Sequence, residues 1–72
     1  MERFIELFAE AIERNVNEIA KDDTFRNFEE WDSLAVLSVI AMVKKNYDIT
    51  IPRNEFDGLL TIEDLYNRVT KA

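Results

Sequence analysis

Asp32-Ser33-Leu34 places a hydroxyl where a polar stretch of chain runs into an apolar one. Asp or Ser at such a junction suits a helix N-cap, because its oxygen accepts from the unpaired N–H groups of the first turn. A second reading concerns chemistry. A serine at a helix start is exposed, and the positive end of the helix favours a phosphate attached there. As a nucleophile it needs a base, and the sequence contains no histidine to provide one. Ser33 therefore reads as the target of another protein's chemistry rather than as a catalyst.

The rest of the composition removes most other chemistry. Without His or Cys there is no Ser-His-Asp triad, disulfide, thiolate centre or imidazole metal ligand. Asp22-Asp23 lacks the glycine and downstream glutamate of a calcium loop, so no metal site is expected. The glutamates of the first twenty residues form a solvated face, not a pair of catalytic carboxylates. A net charge of -6 argues against nucleic acid, whose phosphates require a basic footprint. The 72 residues suffice for a single domain, 1–72, with one small core. Leu34 to Val43 is the longest apolar-rich stretch. It is about half the ~20 residues needed to span a bilayer. No apolar signal region follows Met1-Glu2-Arg3, so a cytoplasmic monomer without membrane insertion is expected.

The elements that must position Ser33 follow from periodicity. Phe4, Ile5, Phe8, Ala11, Ile12, Val16 and Ile19 recur at helical spacing and predict a first helix over 3–19. Residues 21–32 have no steady period but carry Phe25, Phe28 and Trp31, as an ordered loop pinned by its own aromatics does. A second helix is predicted over 33–47, with Val36, Leu37, Ile40, Val43 and Tyr47 on one face. Pro52 suits the start of a brief helix over 53–57, and Gly58 its stop. Thr61 and Asp64 form a capping box before Ile62, Leu65, Tyr66 and Val69. The expected fold is all-α: a bundle of three main helices plus one short helix, with a long loop between the first two. Leu37, Ile40, Val43, Ile51, Phe56, Leu59 and Ile62 are expected to form its core between the second, third and last helices.

Over nearly its whole length this pattern resembles the acyl carrier proteins. The resemblance rests on Asp32-Ser33-Leu34 opening the second helix, on Phe25 eight residues before the serine, on Tyr47-Asp48-Ile49-Thr50-Ile51-Pro52 and on Thr61-Ile62. It implies that a separate phosphopantetheinyl transferase joins 4′-phosphopantetheine to Ser33 through a phosphodiester. The thiol of that arm would carry acyl groups as thioesters to acyl-loading and acyl-processing enzymes. Asp32 would help the transferase and its metal ion engage the serine, so the metal belongs to the complex. The chain would be a carrier and not an enzyme. An acyl chain can enter the core of such a protein, and Phe56 would narrow that space.

Two departures qualify the resemblance. Glu30 stands where the family usually has glycine, and Trp31 where it has a small residue. Trp31 is expected to anchor the loop. More consequentially, the second helix of fatty-acid carriers is acidic, whereas residues 33–47 contain two lysines and no acid. Residues 1–20 and 21–32 each carry a net charge of -3. The expected docking positions are Leu34, Ala35, Ser38, Ala41, Met42 and Lys45, an apolar surface of the kind that meets partners. Steering is expected from Glu29, Glu30 and Asp32. The cargo of such a carrier lies in fatty-acid, polyketide or a related specialised pathway. An aminoacyl carrier, or an unmodified helical interaction module whose Ser33 only caps, are the alternatives.

Overall fold

Apolar side chains at Phe4, Phe8, Ala9 and Ile12 lay one stripe along α1 (Glu2–Ile12) in the computed structural model, which describes residues 1–70. The predicted first helix was to reach residue 19, and it stops well short. Glu13 turns into the left-handed region at φ 59°, and the Arg14 N–H closes back on the Ala9 carbonyl at 2.9 Å. Asn15 then caps a separate 3₁₀ turn, Val16–Glu18, through the Asn17 N–H. The apolar period continues through this break, which is why the sequence disguises it. Val16 is 40% exposed, while Ile19 reaches the core on extended backbone.

The long loop then crosses the end of the molecule. Phe25–Asn27 forms a second 3₁₀ turn, with Phe25 fully buried. Hydrogen bonds from the Phe25 N–H to the Leu60 carbonyl, 3.2 Å, and from the Ile62 N–H to the Asp23 carbonyl, 3.2 Å, stitch the loop to the chain ahead of the last helix. They flank an isolated antiparallel bridge between Thr24 and Thr61. No strand is formed among the described residues.

α2 (Ser33–Tyr47) has the predicted bounds. Asp32 begins it and Asp48, at φ 56°, ends it, with Lys44 and Lys45 in the last turn where cations suit the helix dipole. Its buried arc is turned by roughly a quarter of a revolution from the expected face. Ala35, Val36, Val39, Met42 and Val43 are buried, whereas Leu37, expected in the core, is 52% exposed. α2 is apolar almost all round, so hydropathy alone could not select the arc that faces α1.

A 3₁₀ segment, Arg53–Gly58, follows Pro52 and buries Phe56. Gly58 was expected to stop it by its conformational freedom. No glycine adopts positive φ among the described residues, and termination falls to Leu59 in extended backbone. The Arg26 guanidinium holds this corner by donating to the Phe56 and Leu59 carbonyls at 2.6 and 2.8 Å. α3 (Ile62–Thr70) then opens with the predicted capping box: Thr61 Oγ1 accepts from the Asp64 N–H at 3.1 Å, and Asp64 Oδ2 accepts from the Thr61 N–H at 3.2 Å. Ile62, Leu65 and Val69 close the core against Phe4, Phe8, Val39, Val43 and Ile51. The core holds no buried polar side chain among the described residues.

Candidate functional site

Four aromatic rings prepare the approach to Ser33. Trp31 stacks nearly parallel on Phe8, 6.0 Å between centroids and 11° between planes, and tilts against Phe25 at 4.8 Å and Phe56 at 6.1 Å. Those partners come from α1, the loop and the 3₁₀ segment, so one side chain ties three elements together immediately before the helix start. Trp31 is the loop anchor that the sequence suggested. Phe56 packs against both Phe25 and Trp31, at 6.2 and 6.1 Å between centroids.

Glu30 is held on the other flank. The Arg14 guanidinium donates to Glu30 Oε1 at 2.8 Å, both side chains being largely shielded, and lies over the Phe28 ring at 4.3 Å. The Glu30 carboxyl titrates below its ordinary range. A hydrogen bond from its own backbone N–H contributes most, and desolvation opposes it, with further lowering from the hydrogen bond and charge of Arg14. Glu30 is thus an internal tether rather than the free steering charge that was expected. Arg14 Nε is buried without a hydrogen-bond partner among the described residues, so Glu30 and Phe28 stabilise an arginine that already lacks one contact.

The aromatic cluster and the ion pair deliver Asp32 and Ser33 to the surface. Asp32 Oδ1 accepts from the Ala35 N–H at 2.8 Å, which makes Asp32, not Ser33, the N-cap. The serine hydroxyl is thereby released from capping. It is exposed, and its Oγ accepts from Arg53 Nη2 at 3.0 Å. Sequence reasoning missed Arg53, whose only local signal is a cation following Ile51-Pro52, twenty residues from the serine. It missed Arg14 for the same reason.

Two open grooves flank this point. One, of about 620 Å³, is lined by Arg26, Trp31, Val36, Arg53, Phe56 and Asp57. The other, of about 630 Å³, runs between α1 and α2 and brings Glu10, Glu13, Glu30 and Asp32 beside Leu34 and Ser38. Of the six expected docking residues, Leu34, Ser38, Ala41 and Lys45 are exposed. Ala35 and Met42 are not: at 6% and 8% exposure they face the core, because the buried arc of α2 is rotated. Their assignment to a docking surface is withdrawn.

A comparison with protein families matches residues 2–69 to the phosphopantetheine attachment site. The chain belongs to that family. The match takes in α1, the loop, α2, the 3₁₀ segment and nearly all of α3. A search of curated proteins returns no match. Domains of this family bear 4′-phosphopantetheine covalently and act as carriers. They work with phosphopantetheinyl transferases and acyl-processing enzymes. The site suits such a group: an exposed hydroxyl on the first residue of α2, next to a loop anchored by Trp31 and Glu30, in a chain with no thiol of its own. No helix among the described residues is long and apolar enough to cross a membrane.

Proposed function

We propose that this carrier domain, residues 1–72, holds acyl intermediates as thioesters on a 4′-phosphopantetheine arm attached to Ser33 Oγ and presents them to partner enzymes. The observation that supports this best is the division of labour at the start of α2. Asp32 takes the capping role, so the Ser33 oxygen is exposed at the surface and not spent on the helix end. When bound, the arm supplies the reactive thiol that the chain lacks.

Loading requires the Ser33 Oγ–phosphorus bond to form as the pyrophosphate bond of coenzyme A breaks, with adenosine 3′,5′-bisphosphate leaving. The hydroxyl proton must go to a base. Asp32 Oδ1 is occupied by the Ala35 N–H and the one side-chain partner of Ser33 Oγ among the described residues is Arg53, a donor, so we assign the base to the transferase. Asp32 also projects carboxylate charge beside the serine, which suits the transferase and its metal ion. The chain positions the oxygen and its partners perform the chemistry, so it is a shuttle rather than an enzyme.

Docking is assigned to the exposed face of α2, Leu34, Ser38, Ala41 and Lys45, joined by Leu37. The acids that α2 lacks are supplied across the groove by Glu10 of α1 and by Glu13 just beyond its end. That composite of apolar floor and acidic rim differs from a uniformly acidic helix. It favours the partners of a dedicated acyl pathway, polyketide or specialised fatty-acid, acting on a cytoplasmic monomer. Incubation with coenzyme A, magnesium and a broad-specificity transferase, followed by intact-mass measurement, tests the reading. Wild type should gain one phosphopantetheine and Ser33→Ala none. No gain with several transferases would overturn it.

A further inference from the structure

The cations of this chain are mostly spoken for. Arg3, Arg14, Lys21, Lys44 and Arg68 lie within ion-pair distance of Glu6, Glu30, Glu63, Asp48 and Glu55. Arg26 is spent on two carbonyls. Arg53 has no carboxylate within that distance among the described residues, and its guanidinium points at Ser33 Oγ, 3.0 Å away. A neutral hydroxyl uses one lone pair against a group that offers five N–H donors in a rigid fork. That is a poor match for so strong a donor, and it leaves most of the fork free on the side of the groove. The base of the fork is fixed. Pro52 restrains the backbone ahead of it, and Arg26 grips the same 3₁₀ segment through the Phe56 carbonyl.

We infer that Arg53 is the binding residue for the phosphate of the group carried on Ser33, an inference that rests on attachment at Ser33. Once Oγ is esterified it has lost its proton, and the two free oxygens of the phosphodiester would lie two bonds beyond Oγ, within reach of the same fork. An arginine and a phosphate oxyanion pair more strongly than an arginine and a hydroxyl, because one partner gains a full charge and both can bond in parallel. The local balance also calls for it. A phosphodiester on Ser33 adds an anion next to Asp32, in a chain already at -6, and Arg53 is the cation that touches the modified atom. The consequence is directional. Held by Arg53, the arm would start on the side of the groove that Arg53 lines with Trp31, Val36 and Phe56, which would leave the α1–α2 face to a partner.

The test compares phosphorus NMR spectra of the loaded protein in wild type, Arg53→Lys and Arg53→Gln, each first shown by intact mass to carry the group. Arg53 is exposed, so neither substitution should disturb the fold, and amide spectra of the same samples check this. The phosphodiester resonance of Arg53→Gln should move away from that of wild type, with Arg53→Lys between them. Raising the salt to about 1 M, where the screening length falls to roughly 3 Å, should shift wild type toward Arg53→Gln. The Arg53 Nε–H signal should itself shift on loading. If wild type and Arg53→Gln give the same phosphorus signal while both carry the group, the inference is overturned and attachment stands. If wild type takes up no group at all, both are overturned.

Discussion

A glutamate can replace a glycine three residues before Ser33 because Arg14 receives its carboxylate across sixteen positions of sequence. The pair closes the loop at one side and the stacked Trp31 closes it at the other, and Glu30 does so without entering the left-handed region. Held by its own backbone N–H first and by Arg14 second, the Glu30 carboxylate has a pH signature. The folded Glu30 carboxyl titrates below its unfolded value, so its contribution to stability is fully present above the ordinary carboxylate range, about 4.3. It is lost as pH falls through the folded value. Glu30→Gln should therefore lower the melting temperature relative to wild type at pH 7, with the gap shrinking below about pH 4. A gap that stays constant from pH 7 to pH 3 would contradict the tether. Asp32 and Ser33 were legible in the sequence because a cap and its helix are neighbours. Arg14 and Arg53 were not, because what each touches is decided by packing between distant elements.

At the scale of elements, caps proved a better guide than periodicity. Asp32 and Thr61 mark helix starts that the structure keeps. The stripe from Phe4 to Ile19 suggested one long helix and conceals a left-handed break at Glu13. A break inside a continuous apolar pattern cannot be read from hydropathy, since Ile19 is buried whether the chain arrives as helix or as extended backbone. Rotation of α2 is hidden for a related reason: a helix apolar on most sides has its buried arc chosen by its neighbours. Gly58 shows the reverse error, a glycine read as a conformational device where none is used. A Cβ built on it meets no atom within 4 Å, and its φ is not positive. Gly58→Ala should accordingly stabilise the fold by about 0.4–1 kcal/mol, by restricting the unfolded chain. Thermal unfolding should show a rise of a few degrees, roughly 4–8 °C per kcal/mol for a domain of this size. A fall in melting temperature would show that the glycine is required after all.

For the whole molecule, the -6 charge has a definite geography. Ten of the fifteen acids precede Ser33 and none lies in α2, so the groove between α1 and α2 has an acidic side and an apolar side, which the proposed docking would use together. Recognition should then depend on Leu34 and Ala41 more than on the lysines at the far end of α2. Leu34 is 74% exposed, which allows its replacement without loss of core packing. Leu34→Glu and Ala41→Glu should each weaken association with a transferase or acyl-processing partner by about tenfold, equal to ~1.4 kcal/mol, at unchanged melting temperature. Lys44→Glu should have little effect. Equal effects from all three would mean that net charge, not the apolar face, selects partners. Met42→Glu would report only unfolding, since that side chain lies in the core.

All of these consequences converge on one oxygen atom. The chain has two serines, Ser33 at the start of α2 and Ser38 further along it, and both are exposed. Only Ser33 combines the flanking Asp32 cap with the Arg53 guanidinium. Fragmentation mass spectrometry of the enzymatically loaded wild-type protein distinguishes the two directly. The phosphopantetheine mass should reside on fragments that contain Ser33 and be absent from those that contain Ser38 without it. Its appearance on Ser38, or on one of the threonines, would contradict the assignment of the site and the carrier mechanism built upon it.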